Sequence, residues 1–374
     1  MNGFNKLNFI VVIFLIFNFQ VKANWFHSNS NYESTKLSEI AQINEKNIYK
    51  LEKIWTYNSG SIRKNNTVQS TPIFTGKFVI ISTLGGELHA IKPENGEFEW
   101  KIKLPSPTGR RGFTYKNGVI YVPTREGVAA VSENNGQIIK ELGNEGFFGN
   151  NLSLLPPIVV NESLFTATLS EGIFAYNLKN GEEIWSTNLT PKEVAPSDGK
   201  LRIWSGFSYD SDTKTLFVVT SNMGGITGHD RKVIEKDYSS SVVAINSVDG
   251  KVLWSFQDVK NDLWDFDIAG PPVVTEINFK NKLTKVLVAA SKTGNIIIID
   301  IKKGKLLHEN SYELIETPSS ELNNLVTSST QKIFKKPKSI SKVNFDPNIH
   351  LNYANKVEKD YLDFKLRNTK FGFF

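Results

Sequence analysis

The run N-D-L-W-D-F-D-I-A-G-P-P, Asn261–Pro272, holds the residues best suited to chemistry. Read as an extended strand, it turns Asp265 and Asp267 to one face and Trp264 and Phe266 to the other. Two carboxylates side by side on an otherwise apolar face repel unless a cation lies between them, and a calcium-like ion with oxygen ligands meets that need. The competing reading is a turn with two solvated aspartates beside core aromatics. Taken alone, Trp204 in R-I-W-S-G-F-S-Y-D reads as a core indole, Lys292 in S-K-T-G-N as a solvated turn lysine, and Arg110–Arg111 as a surface pair. His27, His89, His229, His308 and His350 share no metal-ligand spacing and take no role. No glycine-rich loop opens a helix, which excludes a nucleotide site of that kind. The chain has no cysteine, so disulfides, thiolate metal sites and C-x-x-C-H haem attachment are excluded.

The elements that must hold these residues come from a repeat. Five segments share a β-prone run, a few polar residues, a glycine and a second run ending in tryptophan or a substitute. They are Gly86–Trp100, Gly127–Lys140, Gly172–Trp185, Ser241–Trp254 and Gly294–His308. Their turn glycines are Gly96, Gly136, Gly181, Gly250 and Gly304; the first two intervals, 40 and 45 residues, match one four-stranded propeller blade. Each repeat follows another strand and a tight turn, as in Phe78–Ser82, Val119–Val122 and Val286–Ala290. The pattern predicts an all-β fold, a β-propeller of four-stranded antiparallel blades, about five to six here and incomplete as a ring. An N-terminal piece with Trp25 and Trp55 stands outside the five repeats, and Leu37–Leu51 has a helical apolar period.

Residues 1–23 read as a signal peptide: one lysine in Met1–Lys6, an apolar run over Leu7–Phe19, and small residues at Val21 and Ala23. That run is about thirteen residues where a spanning helix needs roughly twenty. The expectation is a periplasmic protein beginning near Asn24, with an uncleaved inner-membrane anchor as the alternative. The formal charge of +6 comes from scattered lysines and not from a basic block interleaved with aromatics, so no nucleic-acid partner is expected.

The Gly-x-x-x-Trp repeat with Ala-Ile or Ala-Tyr before it, the stretch Asn24–Tyr57 and the stretch Pro318–Pro337 resemble quinoprotein dehydrogenases that use pyrroloquinoline quinone (PQQ). The resemblance implies an eight-bladed propeller family. Residues 24–317 would form its propeller domain, and 318–374 a tail leading into blades absent from this sequence. It reads as truncated, its ring completed by missing C-terminal blades or by an extra chain. The activity implied is oxidation of a sugar or alcohol CH–OH by hydride transfer to the quinone, with electrons passed to a periplasmic or membrane acceptor. Asp265 would be the catalytic base and a metal ligand, Asp267 and Asn222 further metal ligands, and the metal calcium or a lanthanide. Trp204 would stack on PQQ, Lys292 would contact its oxygens, and Arg111 would pair with a carboxylate. The family's adjacent cysteines are missing, which points to the sugar and polyol branch; Glu171 does not align with the methanol branch's metal glutamate, and Leu154 replaces a threonine. A non-catalytic propeller scaffold and an inactive fragment remain as alternatives.

Overall fold

The computed structural model describes residues 25–38, 40–60, 69–83, 85–106, 111–169, 172–192, 201–222, 238–259, 266–292 and 296–310. These hold five four-stranded antiparallel sheets. The first is β1 (Ile73–Phe74), β2 (Val79–Ser82), β3 (Glu87–Ile91) and β4 (Phe98–Lys103). The second is β5 (Thr114–Lys116), β6 (Val119–Thr124), β7 (Gly127–Ser132) and β8 (Phe147–Phe148). The third is β9 (Ile158–Val160), β10 (Ser163–Ala167), β11 (Ile173–Asn177) and β12 (Glu183–Thr187). The fourth is β13 (Phe207–Asp210), β14 (Thr215–Val219), β15 (Ser241–Asn246) and β16 (Val252–Gln257). The fifth is β17 (Val273–Phe279), β18 (Lys282–Ala290), β19 (Ile296–Asp300) and β20 (Lys305–Asn310). Each is a meander with its strands in sequence order, as the repeat predicts.

The chain forms two compact units, residues up to Thr166 with Ala175–Ile184, and Ala167–Phe174 with residues from Trp185 onward. The core of the first gathers Ile80, Leu88, Phe113, Ile120 and Val131. That of the second gathers Phe217, Val242, Leu287, Ile297 and Ile299. Burying such a side chain contributes about 1.5–3 kcal/mol. The third strands are buried along nearly their whole length, as in Gly127–Ser132 and Ser241–Asn246, so both faces must accept neighbours and alanines recur there. The fourth strands alternate, with Trp100 buried between exposed Glu99 and Lys101.

One turn is used five times. The amide of each turn glycine donates to the carbonyl four residues earlier: Gly96 to Lys92, Gly136 to Ser132, Gly181 to Asn177, Gly250 to Asn246 and Gly304 to Asp300. All five glycines have positive φ, between 62° and 74°, where a side chain is disfavoured. On three of them an indole from the preceding sheet's fourth strand comes to rest. Trp100, Trp185 and Trp254 lie against Gly136, Gly250 and Gly304, where an added Cβ would meet the rings at 2.5–2.6 Å. Each indole N–H donates to the carbonyl three residues before its glycine: Trp100 to Glu133 (2.7 Å), Trp185 to Ser247 (3.0 Å) and Trp254 to Ile301 (3.1 Å). The second repeat ends without tryptophan, and Gly181 instead abuts the Gly143–Asn144 backbone.

Residues Trp25–Ser30 lace the first two sheets together. The Phe74 amide donates to Trp25 (2.9 Å) and the Tyr115 amide to Phe26 (2.7 Å). His27 is fully buried there, its Nδ1 accepting from the Asn29 amide (3.1 Å). Burial pushes its pKa from 6.5 down to about 4, the Pro156 carbonyl offsetting part of the shift. Two expectations are corrected. The helical period of Leu37–Leu51 yields only one 3-10 turn, Ile48–Lys50, because Leu37, Ile43, Ile48 and Leu51 are exposed and no described element packs on them. The described part of Asn261–Pro272 is not a continuous strand; only Ile268 forms a bridge, to Ser291. Residues 1–23, 171, 229, 265 and 318–374 lie outside the described residues. Among the described residues no helix is long and apolar enough to cross a membrane.

Two stability measurements follow from this packing. Gly136→Ala should cost about 2–5 kcal/mol in urea unfolding, from left-handed strain of roughly 1–2 plus overpacking of roughly 1–3. Gly118→Ala, at φ +83° with open space around it, should cost about 1–2 kcal/mol, the strain alone. Equal losses would refute the packing role. Because His27 binds its proton less readily folded than unfolded, its contribution is complete above pH 6.5. It should fade as the pH falls from about 6.5 to about 4, by about 3 kcal/mol. Urea midpoints at pH 7 and pH 4 for the native chain and His27→Gln should show the variant's smaller acid loss.

Candidate functional site

The second unit gathers three of the predicted residues. Trp204 lies in the segment leading into β13, Asp267 in the segment leading into β17, and Lys292 just after β18. Main-chain bonds fix each segment. The Arg202 amide donates to Ser221 Oγ (3.0 Å) and the Ser221 amide to the Arg202 carbonyl (2.8 Å). Ser205 Oγ donates to the Ile268 carbonyl (3.0 Å). Gly206, at φ +137°, lets the segments approach, since a Cβ there would stand 2.9 Å from Pro271 Cβ. The Lys292 amide donates to the Asp267 carbonyl (3.2 Å), beside the Ile268–Ser291 bridge.

This backbone sets the side chains. The Asp267 carboxylate is buried, 1% exposed. Its Oδ2 accepts from the Trp204 indole N–H at 2.8 Å. Its Oδ1 stands 2.6 Å from the Lys292 ammonium, an electrostatic contact and not a well-angled hydrogen bond. The same ammonium lies 5.2 Å from the centroid of the half-buried Trp204 ring. A buried carboxylate is costly unless paired, and here one lysine and one indole satisfy it.

Asn222 follows β14 and is buried, next to Ser221, whose backbone pairs with the Trp204 segment. The Ser240 amide donates to the Ser221 carbonyl (2.9 Å), so a polar, serine-rich backbone surrounds this position. Arg111 belongs to the first unit, its amide donating to the Leu154 carbonyl (3.2 Å). Asp265 lies outside the described residues, and among the described residues no three His, Asp or Glu side chains cluster as a metal site. The sequence reading missed Ser205 and Gly206; the S-G pair after Trp204 was the available signal. It also missed that Asp267 and Lys292 pair with each other.

A sequence profile described as "PQQ: Glucose/ethanol/alcohol dehydrogenase, beta-propeller domain" matches residues 25–152 and 187–368. The chain belongs to this family. It is 23% identical over 342 residues to the quinoprotein glucose dehydrogenase of Escherichia coli (strain K12), covering 76% of this chain and 43% of that protein. It is 24% identical over 332 residues to the lanthanide-dependent methanol dehydrogenase of Methylacidiphilum fumariolicum (strain SolV), covering 76% of this chain and 54% of that protein. The chain thus spans about half the length of the curated relatives it matches. Among solved structures, a europium-containing methanol dehydrogenase superposes with TM-score 0.67 at 20% identity, covering 81% of this chain and 61% of that one. The quinohemoprotein alcohol dehydrogenase from Comamonas testosteroni gives TM-score 0.67 at 21% identity, covering 86% and 53%. These likenesses show the fold, a β-propeller of four-stranded blades, five of them in the described residues.

The described residues suit the cofactor named in the family's description. An anionic planar quinone needs an aromatic face and a cation, and Trp204 with Lys292 offers both. Asp267 suits a metal less well while both its oxygens face Lys292 and Trp204.

A double-mutant cycle measures the pair. Lys292→Gln leaves a buried carboxylate without its counter-ion and should cost about 3 kcal/mol in urea unfolding. The double variant Asp267→Asn with Lys292→Gln removes the stranded charge and should lose less than Lys292→Gln alone. Strictly additive losses would show that the two side chains do not interact.

Proposed function

We propose that this chain is the PQQ-binding part of an exported dehydrogenase that oxidises the CH–OH group of a sugar or other alcohol. The observation that supports this most is the convergence of Trp204, Asp267 and Lys292 within segments that the family profile matches. PQQ, when bound, supplies the quinone that accepts hydride from the CH–OH carbon. In this reading Trp204 offers a flat apolar face that excludes water on one side of the cofactor. The Lys292 ammonium stands beside that face, where a cation offsets negative charge developing on cofactor oxygens. Asp265, two residues before Asp267, takes the proton of the substrate hydroxyl as general base. Asn222 and Asp265 are the proposed ligands of a calcium or lanthanide ion, and Asp267 joins them when Lys292 turns from it toward the cofactor. Arg111 pairs with a cofactor carboxylate, a role that rests on the resemblance alone. The absence of cysteine favours a sugar or polyol over a short alcohol. The apolar run Leu7–Phe19 supports export to the periplasm, with electrons leaving to a periplasmic or membrane acceptor.

The intact chain should bind PQQ in the presence of calcium or lanthanum, read by quenching of tryptophan fluorescence. With an aldose or alcohol it should reduce an artificial dye. Asp265→Asn should lower dye reduction by about 10²–10⁴-fold while PQQ still binds. Turnover that survives the substitution would remove Asp265 as base; no PQQ binding by the native chain under either metal would end the reading.

A further inference from the structure

Four of the five turn glycines carry an indole, yet only three of those indoles come from a described sheet. At Gly96 the ring is that of Trp55, and an added Cβ would stand 2.7 Å from its Cδ2. Its N–H donates to the Pro93 carbonyl at 2.9 Å, again the residue three before the glycine. At the other three junctions the tryptophan always sits on the fourth strand of a complete blade: Trp100 on β4, Trp185 on β12 and Trp254 on β16.

The neighbours of Trp55 repeat the pattern of a fourth strand. Lys53, Ile54 and Thr56 are exposed while Trp55 and Tyr57 are half-buried, the same alternation that Phe98–Ile102 shows around Trp100. Tyr57, two residues after the tryptophan, also docks on the first sheet, its hydroxyl 2.8 Å from His89 Nδ1. But residues 51–57 belong to no sheet among the described residues, and Ile54 is 78% exposed. In complete blades the tryptophan faces an alanine across the third strand: Ala90 opposite Trp100 and Ala244 opposite Trp254, with a bulge just after each alanine.

We propose that Leu51–Tyr57 is the fourth strand of a further blade, and that the blade's first three strands are a polypeptide segment outside residues 1–374 that carries the same repeat. The occupant is identified by geometry: three antiparallel strands, the third with a small residue opposite Trp55. A second copy of this chain does not offer them, because each described sheet already has its fourth strand. Residues 311–374 fit poorly, because their single glycine is Gly372 and the repeat needs a turn glycine between its third and fourth strands. The first relatives' lengths, about twice this chain's, leave room for such a segment.

The lack of cysteine makes Ile54→Cys a clean reporter. In the full chain its thiol should react with maleimide at the rate of an unfolded peptide. The probe is the full chain extended after Phe374 by a Gly/Ser linker and a second copy of residues 69–97, which supplies three strands at high effective concentration. Labelling should slow about tenfold or more, and the slowing should vanish when the appended copy carries Ala90→Arg. Three results would overturn the proposal. One is unchanged labelling in the extended chain. Another is a native chain already protected until residues 311–374 are deleted, which makes that tail the occupant. The third is protection that appears only with dimer formation in light scattering. Far-UV circular dichroism matching the native chain verifies that each variant is folded.

Discussion

The contact between a tryptophan and the next sheet's turn glycine is the constraint on which the rest of this structure depends. The turn needs a residue at positive φ, which glycine reaches without steric cost, and the same missing side chain leaves a flat place for an indole. Burying the indole would strand its N–H, so the carbonyl three residues before the glycine accepts it. Hydrophobic area, hydrogen bonding and backbone conformation are thus satisfied by one pair of residues, and replacing either partner disturbs all three.

The candidate site inherits its precision from that packing. Trp204, Asp267 and Lys292 lie on connecting segments, which alone would hold side chains loosely. Strands β13 and β17–β18 anchor these segments, and hydrogen bonds of Ser205 to Ile268 and of Lys292 to Asp267 tie them to one another. The carboxylate then lies between an indole N–H and an ammonium, which offsets the cost of its burial. The lysine is held beside the aromatic face and remains partly open to solvent, an arrangement suited to an anionic planar ligand.

Much of the fold was legible because it repeats. Asn-Gly and Asp-Gly turns, β-prone runs and terminal tryptophans recur often enough that each strengthens the others, and the strands β2, β6 and β18 fall where the repeats placed them. The period misled at Leu37–Leu51, where apolar spacing suits a helix but no described surface covers those side chains. It was also silent on the bulges after Ala90 and Ala244, which arise from strand twist and pairing and not from residue type.

The sequence by itself determined the all-β class, the positions of the turns and the set of candidate residues, because those depend on local conformational preference and on short spacings. Only the tertiary structure decided which residues meet. Asp267 and Lys292 are far apart along the chain, and their pairing follows from a backbone bond between segments of two strand connections. Trp55 likewise reads as an isolated aromatic until its ring is seen on Gly96. Contacts of this kind depend on how separate segments pack in three dimensions, and no local pattern of residues encodes that.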